Sequence, residues 1–202
     1  MALARRTQDV DDEPLRRYRN PQDGSWYVQL TLGDTYVTSE ENEILTTILG
    51  SCIAACVRDP NTGIGGMNHF LLPDGSSHDR DARCYGVNAM ELLINDILKR
   101  GGDRRRLEAK IFGGANVVTA LSDVGSRNAT FARQFLTDEG IAIVGADVGG
   151  TAARRIQFSP RKGTAKRVLV KDTARRLVER ELLASRAIAG RPEAPDVEFF
   201  DD

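Results

Sequence analysis

Cys52 follows Gly50-Ser51 at the junction of two apolar, β-branched runs, residues 44–49 and 53–57. A thiol at such a bend can stand clear of a strand ladder. The backbone N–H groups beside it, those of Ser51 and Cys52, can hold the oxyanion formed when a nucleophile attacks an acyl carbon. A thiol near its ordinary pKa of about 8.5 is mostly protonated at neutral pH, so this chemistry needs a base next to the sulfur. The chain has 2 histidines. His69 ends Gly65-Gly66-Met67-Asn68-His69 inside an apolar segment, and His78 sits in a polar loop, residues 75–80. If the segments around 52 and 69 are neighbouring strands, His69 reaches Cys52 across the ladder. By residue type alone, a packed core cysteine and a hydrogen-bonded structural histidine fit the same positions.

The cysteines number 3, an odd and sparse set that cannot be a fully paired disulfide framework. Cys52, Cys56, Cys84 and a histidine would make four zinc ligands. On one strand, however, Cys52 and Cys56 stand about 13 Å apart, too far for a single ion with bonds near 2.3 Å, so no metal or other cofactor is expected. The pairs Gly65-Gly66, Gly113-Gly114 and Gly149-Gly150 lack the spacing and following lysine of a nucleotide loop and read as turns or close packing sites. The basic clusters at 104–106, 154–155 and 161–162 read as solvated edges, one of which can meet an acidic partner.

The elements that must position Cys52 and His69 follow from periodicity. Residues 26–32, 44–49 and 53–57 read as strands punctuated by Gly33-Asp34 and Gly50-Ser51, and Asn61-Thr62-Gly63 makes an antiparallel return from 53–57 to 65–72 plausible. Val87, Met90, Ile94, Ile97 and Leu98 predict a helix ending at Gly101-Gly102. Phe131, Phe135 and Leu136 predict another, ending at Gly140 before an apolar strand at 141–144; strands return at 154–158 and 167–170. Strands before, between and after two helices predict a layered α/β domain over residues 25–171. Residues 1–24 have few large apolar side chains and read as a flexible arm, and 172–202 as a weakly docked helix and loose tail.

The 28 basic and 29 acidic residues leave a formal net charge of −1, which gives no global field for nucleic acid or an acidic membrane. The apolar runs fall far short of the roughly 20 residues of a membrane span, and residues 1–13 carry no apolar leader core, so a cytoplasmic protein is expected.

Leu-Gly-Ser-Cys at 49–52, Gly-Gly-Met-Asn-His at 65–69 and Leu-Leu-Pro at 71–73 resemble the CheD family of chemoreceptor glutamine deamidases. In the expected order, so do Lys110-Ile-Phe-Gly-Gly-Ala-Asn116, a helix start at Gly125-Ser-Arg-Asn128, Gly140-Ile141 and Asp147-Val-Gly-Gly150, so the resemblance spans about residues 26–170. It implies a three-layer α/β/α sandwich with a mixed sheet, similar to the cytotoxic necrotizing factor catalytic domain. It also implies Cys52 as nucleophile, His69 as general base and acid, and Thr46, six residues before the cysteine, as the polar third member of a triad. Thr47 stands beside Thr46, and a one-residue shift of register exchanges their faces. The implied activity converts glutamine side chains of methyl-accepting chemotaxis receptors to glutamate with loss of ammonia. The alternative is a non-catalytic adaptor that binds receptors or a CheC-like phosphatase.

Overall fold

Along residues 43–49 the side chains of Glu43, Leu45, Thr47 and Leu49 are all buried; of those between them Ile44 and Ile48 are half-buried and Thr46 is buried. This is the period-two signature of a strand with one face in a core. In the computed structural model, which describes residues 5–6, 15–72, 79–117 and 122–170, that strand is β5 (Glu43–Leu49) of a five-stranded sheet. Its other strands are β2 (Arg16–Arg19), β3 (Trp26–Gln29), β10 (Ala153–Ser159) and β11 (Thr164–Val170), in the order β11-β10-β5-β3-β2. A six-stranded sheet, β1-β4-β7-β6-β8-β9, holds β1 (Arg5–Arg6), β4 (Asp34–Thr38), β6 (Ile53–Arg58), β7 (Gly65–Asn68), β8 (Glu108–Gly113) and β9 (Ala142–Val148). Both sheets are mixed: β3 pairs parallel with β5 and β8 parallel with β9.

The helices α1 (Asp79–Lys99) and α2 (Ser122–Asp138) both pack against the six-stranded sheet. Met90, Leu93, Ile94 and Ile97 of α1 and Ala132 and Leu136 of α2 are fully buried there with Ile53, Ala55 and Val57. On the other face of β6, Cys52, Ala54 and Cys56 meet Leu45, Leu49, Ile156 and Phe158 of the second sheet. The described residues are therefore layered helix, sheet, sheet, and the expectation of one mixed sheet between two helical layers is corrected to this extent. The apolar run 53–57 explains the difference. It announces a strand covered on both faces, but burial alone does not say whether the second cover is a helix or another sheet. Each fully buried leucine or isoleucine in these two cores contributes about 1.5–3 kcal/mol of hydrophobic stabilisation before entropy is counted.

The antiparallel return at 61–63 is present, with Cys56 opposite Met67 and Val57 opposite Gly66. Val87 is 39% exposed and stands off the packed face that its spacing suggested. Gly65 and Gly66 belong to β7, not to a turn; a Cβ on Gly66 would stand 2.4 Å from the Tyr36 carbonyl. Part of the expected N-terminal arm is a strand: β2 lies along β3 with all four residues exposed to solvent in part. It is held by contacts that need little burial. Tyr18 stacks on Tyr27 at 5.5 Å, the Arg17 guanidinium lies 4.6 Å over Trp26, and Arg17 pairs with the buried Glu43 at 2.7 Å. The expected C-terminal helix and tail at 172–202 lie outside the described residues, as does His78.

Candidate active site

The bend 50–52 is where the chain passes from β5 of one sheet to β6 of the other. Just beyond it, Ile53 and Phe70 exchange both backbone hydrogen bonds at 2.9 Å, which carries the β6–β7 register through His69. In this register Leu71 stands opposite Cys52, and His69 opposite Ala54. Cross-strand partners share a face, so Cys52 and His69 are diagonal neighbours on the side of the six-stranded sheet that faces the other sheet, about 7–8 Å apart between backbones and within reach of an imidazole. Cys52 is fully buried and His69 nearly so.

The imidazole meets a hydroxyl from the opposite sheet. Thr47 Oγ1 lies 2.9 Å from His69 Nδ1 and 2.9 Å from the Leu30 carbonyl oxygen. A hydroxyl has one proton, and the carbonyl can only accept, so that proton goes to Leu30 and the oxygen accepts from Nδ1–H. In its neutral form the ring so held keeps its lone pair on Nε2. Thr46 lies on the other face of β5, and its hydroxyl donates to the Ile156 carbonyl at 2.9 Å. The expected partnership of Thr46 with His69 is thus corrected to Thr47. The alternation Leu45, Thr47, Leu49 carries the reason, because Thr47 shares the inward face with two fully buried leucines.

Three successive carbonyls of the bend are held from one side. Gly50 accepts from the Ala115 N–H at 2.8 Å, Ser51 from Asn128 Nδ2 at 2.9 Å, and Cys52 from the Gly114 N–H at 2.8 Å. Among the described residues all peptide bonds are trans, so each N–H points opposite to the carbonyl of its own peptide. Anchoring the Gly50 and Ser51 carbonyls therefore fixes the directions of the Ser51 and Cys52 N–H groups. The anchoring loop 113–116 is itself anchored. The Gly149 N–H donates to the Gly113 carbonyl at 2.9 Å and the Asn116 N–H to the Gly150 carbonyl at 2.8 Å, while buried Arg154 donates to the carbonyls of Asp147 and Gly149 and to the Asp147 carboxylate. Gly113 has φ +111, and a Cβ there would stand 2.1 Å from the Cys52 carbonyl oxygen.

Two asparagines fix the frame around the histidine. Asn68 Oδ1 accepts from the Ala55 N–H at 3.0 Å, and its Nδ2 donates to the Ala89 carbonyl at 3.0 Å, which ties the residue before His69 to β6 and α1. Asn128, in the interior of α2 and not at the start of a helix, is fully buried. Both asparagines were visible in the motifs at 65–69 and 125–128, but their roles were not. For Asn128 a signal exists: Val124, Asn128, Ala132 and Leu136 recur every four residues on the buried stripe of α2, and the amide is the polar member.

The other cysteines stand apart from this bend. Cys56 is buried between the sheets, and burial pushes its thiol far above the ordinary range. Cys84 is exposed on α1, whose sheet-facing side packs on the opposite face of the six-stranded sheet. Among the described residues no group of three or more His, Cys, Asp or Glu side chains converges to hold a metal ion, and no helix is long and apolar enough to cross a membrane.

A thiol, an imidazole and a hydroxyl at the seam of a two-sheet α/β domain define the chemical class of this site. Residues 71–171 match the family described as CheD chemotactic sensory transduction. A probable chemoreceptor glutamine deamidase CheD of Caulobacter vibrioides is 58% identical over 145 residues, covering 71% of this chain and 78% of that protein. Proteins of the same name are 48% identical in Sinorhizobium medicae, over 86% of this chain and 95% of that one, and 48% identical in Agrobacterium fabrum, over 86% and 96%. The chain belongs to the CheD family. Among solved structures it is similar to a hypothetical protein YfiH of Bacillus licheniformis, with TM-score 0.42 and 16% identity over 58% of this chain and 51% of that one. The family match at 71–171 begins after His69, so it draws on the scaffold and not on the three residues at the seam.

Proposed function

We propose that this protein is a glutamine deamidase of chemoreceptors, a protein-glutamine glutaminase acting in the cytoplasm, with Cys52 as nucleophile, His69 as general base and acid, and Thr47 as the group that orients the imidazole. The observation that carries the reading is the Thr47 to His69 Nδ1 contact at 2.9 Å, which leaves Nε2 as the basic nitrogen on the face shared with Cys52. His69 Nε2 takes the Cys52 proton, and the sulfur attacks the side-chain amide carbon of the substrate glutamine. The oxyanion that develops is stabilised by the N–H groups of Ser51 and Cys52, whose directions follow from the anchored carbonyls. Ammonia leaves with the proton from Nε2, giving a Cys52 thioester. Water, deprotonated by the same nitrogen, adds to the thioester carbon, and the sulfur leaves to regenerate the thiol and release glutamate.

The substrate reading draws on the relatives, each named a probable chemoreceptor glutamine deamidase. The receptor's cytoplasmic helices are the substrate surface, a CheC-like phosphatase is a candidate second partner, and the kinship with the cytotoxic necrotizing factor catalytic domain belongs to this same reading. Incubation with chemoreceptor cytoplasmic domains and peptide mapping by mass spectrometry tests it. Selected glutamines are expected to gain the mass difference of a glutamate, and Cys52→Ala to abolish the gain. Receptor binding with no conversion above the Cys52→Ala background makes the protein an adaptor and overturns the enzymatic reading.

A further inference from the structure

We propose that Asn128 is a positioning residue for acyl transfer, acting by fixing the Ser51–Cys52 peptide so that the Cys52 N–H faces the developing oxyanion. The proposal deepens the thiol–acyl reading above and rests on it. Asn128 is fully buried, and its amide uses both ends on the site. Nδ2 donates to the Ser51 carbonyl at 2.9 Å, and Oδ1 accepts from the Leu72 N–H at 2.8 Å. One side chain thereby clamps the segment of the nucleophile to the segment that follows His69. The helix comes close enough because of Gly125, three residues earlier, where a Cβ would stand 2.6 Å from the Gly114 carbonyl and 2.8 Å from the Ala115 carbonyl.

The chemistry of the amide dictates the test. Asn128→Asp keeps an acceptor for the Leu72 N–H but offers a carboxylate to the Ser51 carbonyl, so the peptide loses its donor and is repelled. Asn128→Ser removes both bonds and leaves room for water, which covers the case in which a buried carboxylate prevents folding. Two probes separate the oxyanion from the thiol. With p-nitrophenyl acetate, Cys52 Sγ bonds the ester carbonyl carbon through a tetrahedral oxyanion, p-nitrophenolate leaves with the bonding pair, and the thiol proton goes to His69. With iodoacetamide the sulfur bonds a methylene carbon, iodide leaves, and no oxyanion forms.

In the folded variants, checked by thermal melts, acylation of Cys52 is expected to slow by about 10-fold or more and alkylation to stay within about 2-fold of wild type, since a displaced donor costs only the step that builds negative charge on oxygen. A general loss of packing would slow both together. The proposal is overturned if the variants acylate at the wild-type rate, if both reactions slow in parallel, or if wild-type Cys52 takes neither probe. Receptor conversion by the wild type is read separately. Its absence, with the split between probes intact, sinks the receptor reading and leaves the positioning role standing.

Discussion

Thr47 has a single proton and two acceptors within reach, and the way that proton is spent decides which imidazole nitrogen is basic. Thr47→Val keeps the β-branched shape and removes the hydroxyl, so Nδ1 loses its partner and the ring loses its fixed tautomer. The deamidation rate is expected to fall by about 10- to 100-fold, equivalent to about 1.4–2.7 kcal/mol of barrier. Thr46→Val removes a bond to the Ile156 carbonyl on the other face of the strand; it should lower stability by about 1 kcal/mol and change the rate less than about 2-fold. Rates and melting curves for the two variants check this, and the reverse order of activities would return the role to Thr46. At this scale the sequence exposed the types and the spacing of Cys52 and His69. Neither the six-residue offset from Cys52 nor burial separates the adjacent threonines, since Thr46 and Thr47 are both buried; their opposite faces show only in the contacts each hydroxyl makes. Asn128 stood in a quoted motif and on the buried stripe of its helix, but a helical asparagine reveals its partners only when its helix is docked.

The loop 113–116 illustrates how an element without side-chain chemistry holds a site. Gly113 brings its backbone against the Cys52 carbonyl, and any Cβ there meets that oxygen. Gly113→Ala adds this overlap to a backbone conformation that costs about 1–3 kcal/mol for a residue with a side chain. Urea denaturation should report a loss of at least about 2 kcal/mol, and the surviving folded enzyme should deamidate more slowly because the bend at 50–52 has moved. An alanine variant with unchanged stability and rate would remove this loop from the account. Most elements were legible: both helices, the strand runs at 44–49 and 53–57, and the return between 53–57 and 65–72 follow from periodicity and turn residues. Several strands were not. β4 begins at Asp34, whose carboxylate accepts from the Thr31 N–H and hydroxyl at 2.7 and 2.8 Å, so a turn residue also opens a strand. β8 lay hidden in a short motif that runs from Lys110 into the glycine pair Gly113-Gly114. The exposed β2 held too little apolar surface to be seen as structure at all.

Across the whole molecule the chain changes sheets beside the candidate site three times, at 30–33, at 50–52 and at 149–152, and these segments are bonded to the site or to the loop that holds it. The Gly33 N–H donates to the His69 carbonyl at 2.8 Å, and the Gly149 N–H to the Gly113 carbonyl at 2.9 Å. Past the far end of β6, charge does the fastening. Asp59 is fully buried and takes Arg106 Nη2 at 2.6 Å, with Asp103 joining at 2.9 Å. The Arg106 hydrogen bonds hold the Asp59 carboxyl well below the usual carboxylate range, against the opposing effect of burial. With the folded value depressed, this contribution is complete above the unfolded value of about 3.9 and is lost as pH falls towards the folded one. Asp59→Asn should therefore lower stability by about 2 kcal/mol at pH 7, the gap to wild type should narrow as pH drops below about 4, and kcat should be untouched. Thermal melts across pH 2.5–7 measure the gap; a gap that widens in acid contradicts the assignment.

The hydrogen bond between Thr47 and His69 joins one sheet to the other, and this makes it a gauge of their alignment. At 2.9 Å it has only a few tenths of an ångström of slack before it ceases to be a hydrogen bond. A slide of one sheet over the other by about 1 Å, small for two faces held by apolar contact alone, would uncouple the ring from its hydroxyl while leaving Cys52 and His69 on their shared strand ladder. The backbone bonds gathered at this end are directional and resist that slide in a way that leucines packed face to face do not. Stiffness against shear is thus the mechanical property this end of the sandwich has to supply.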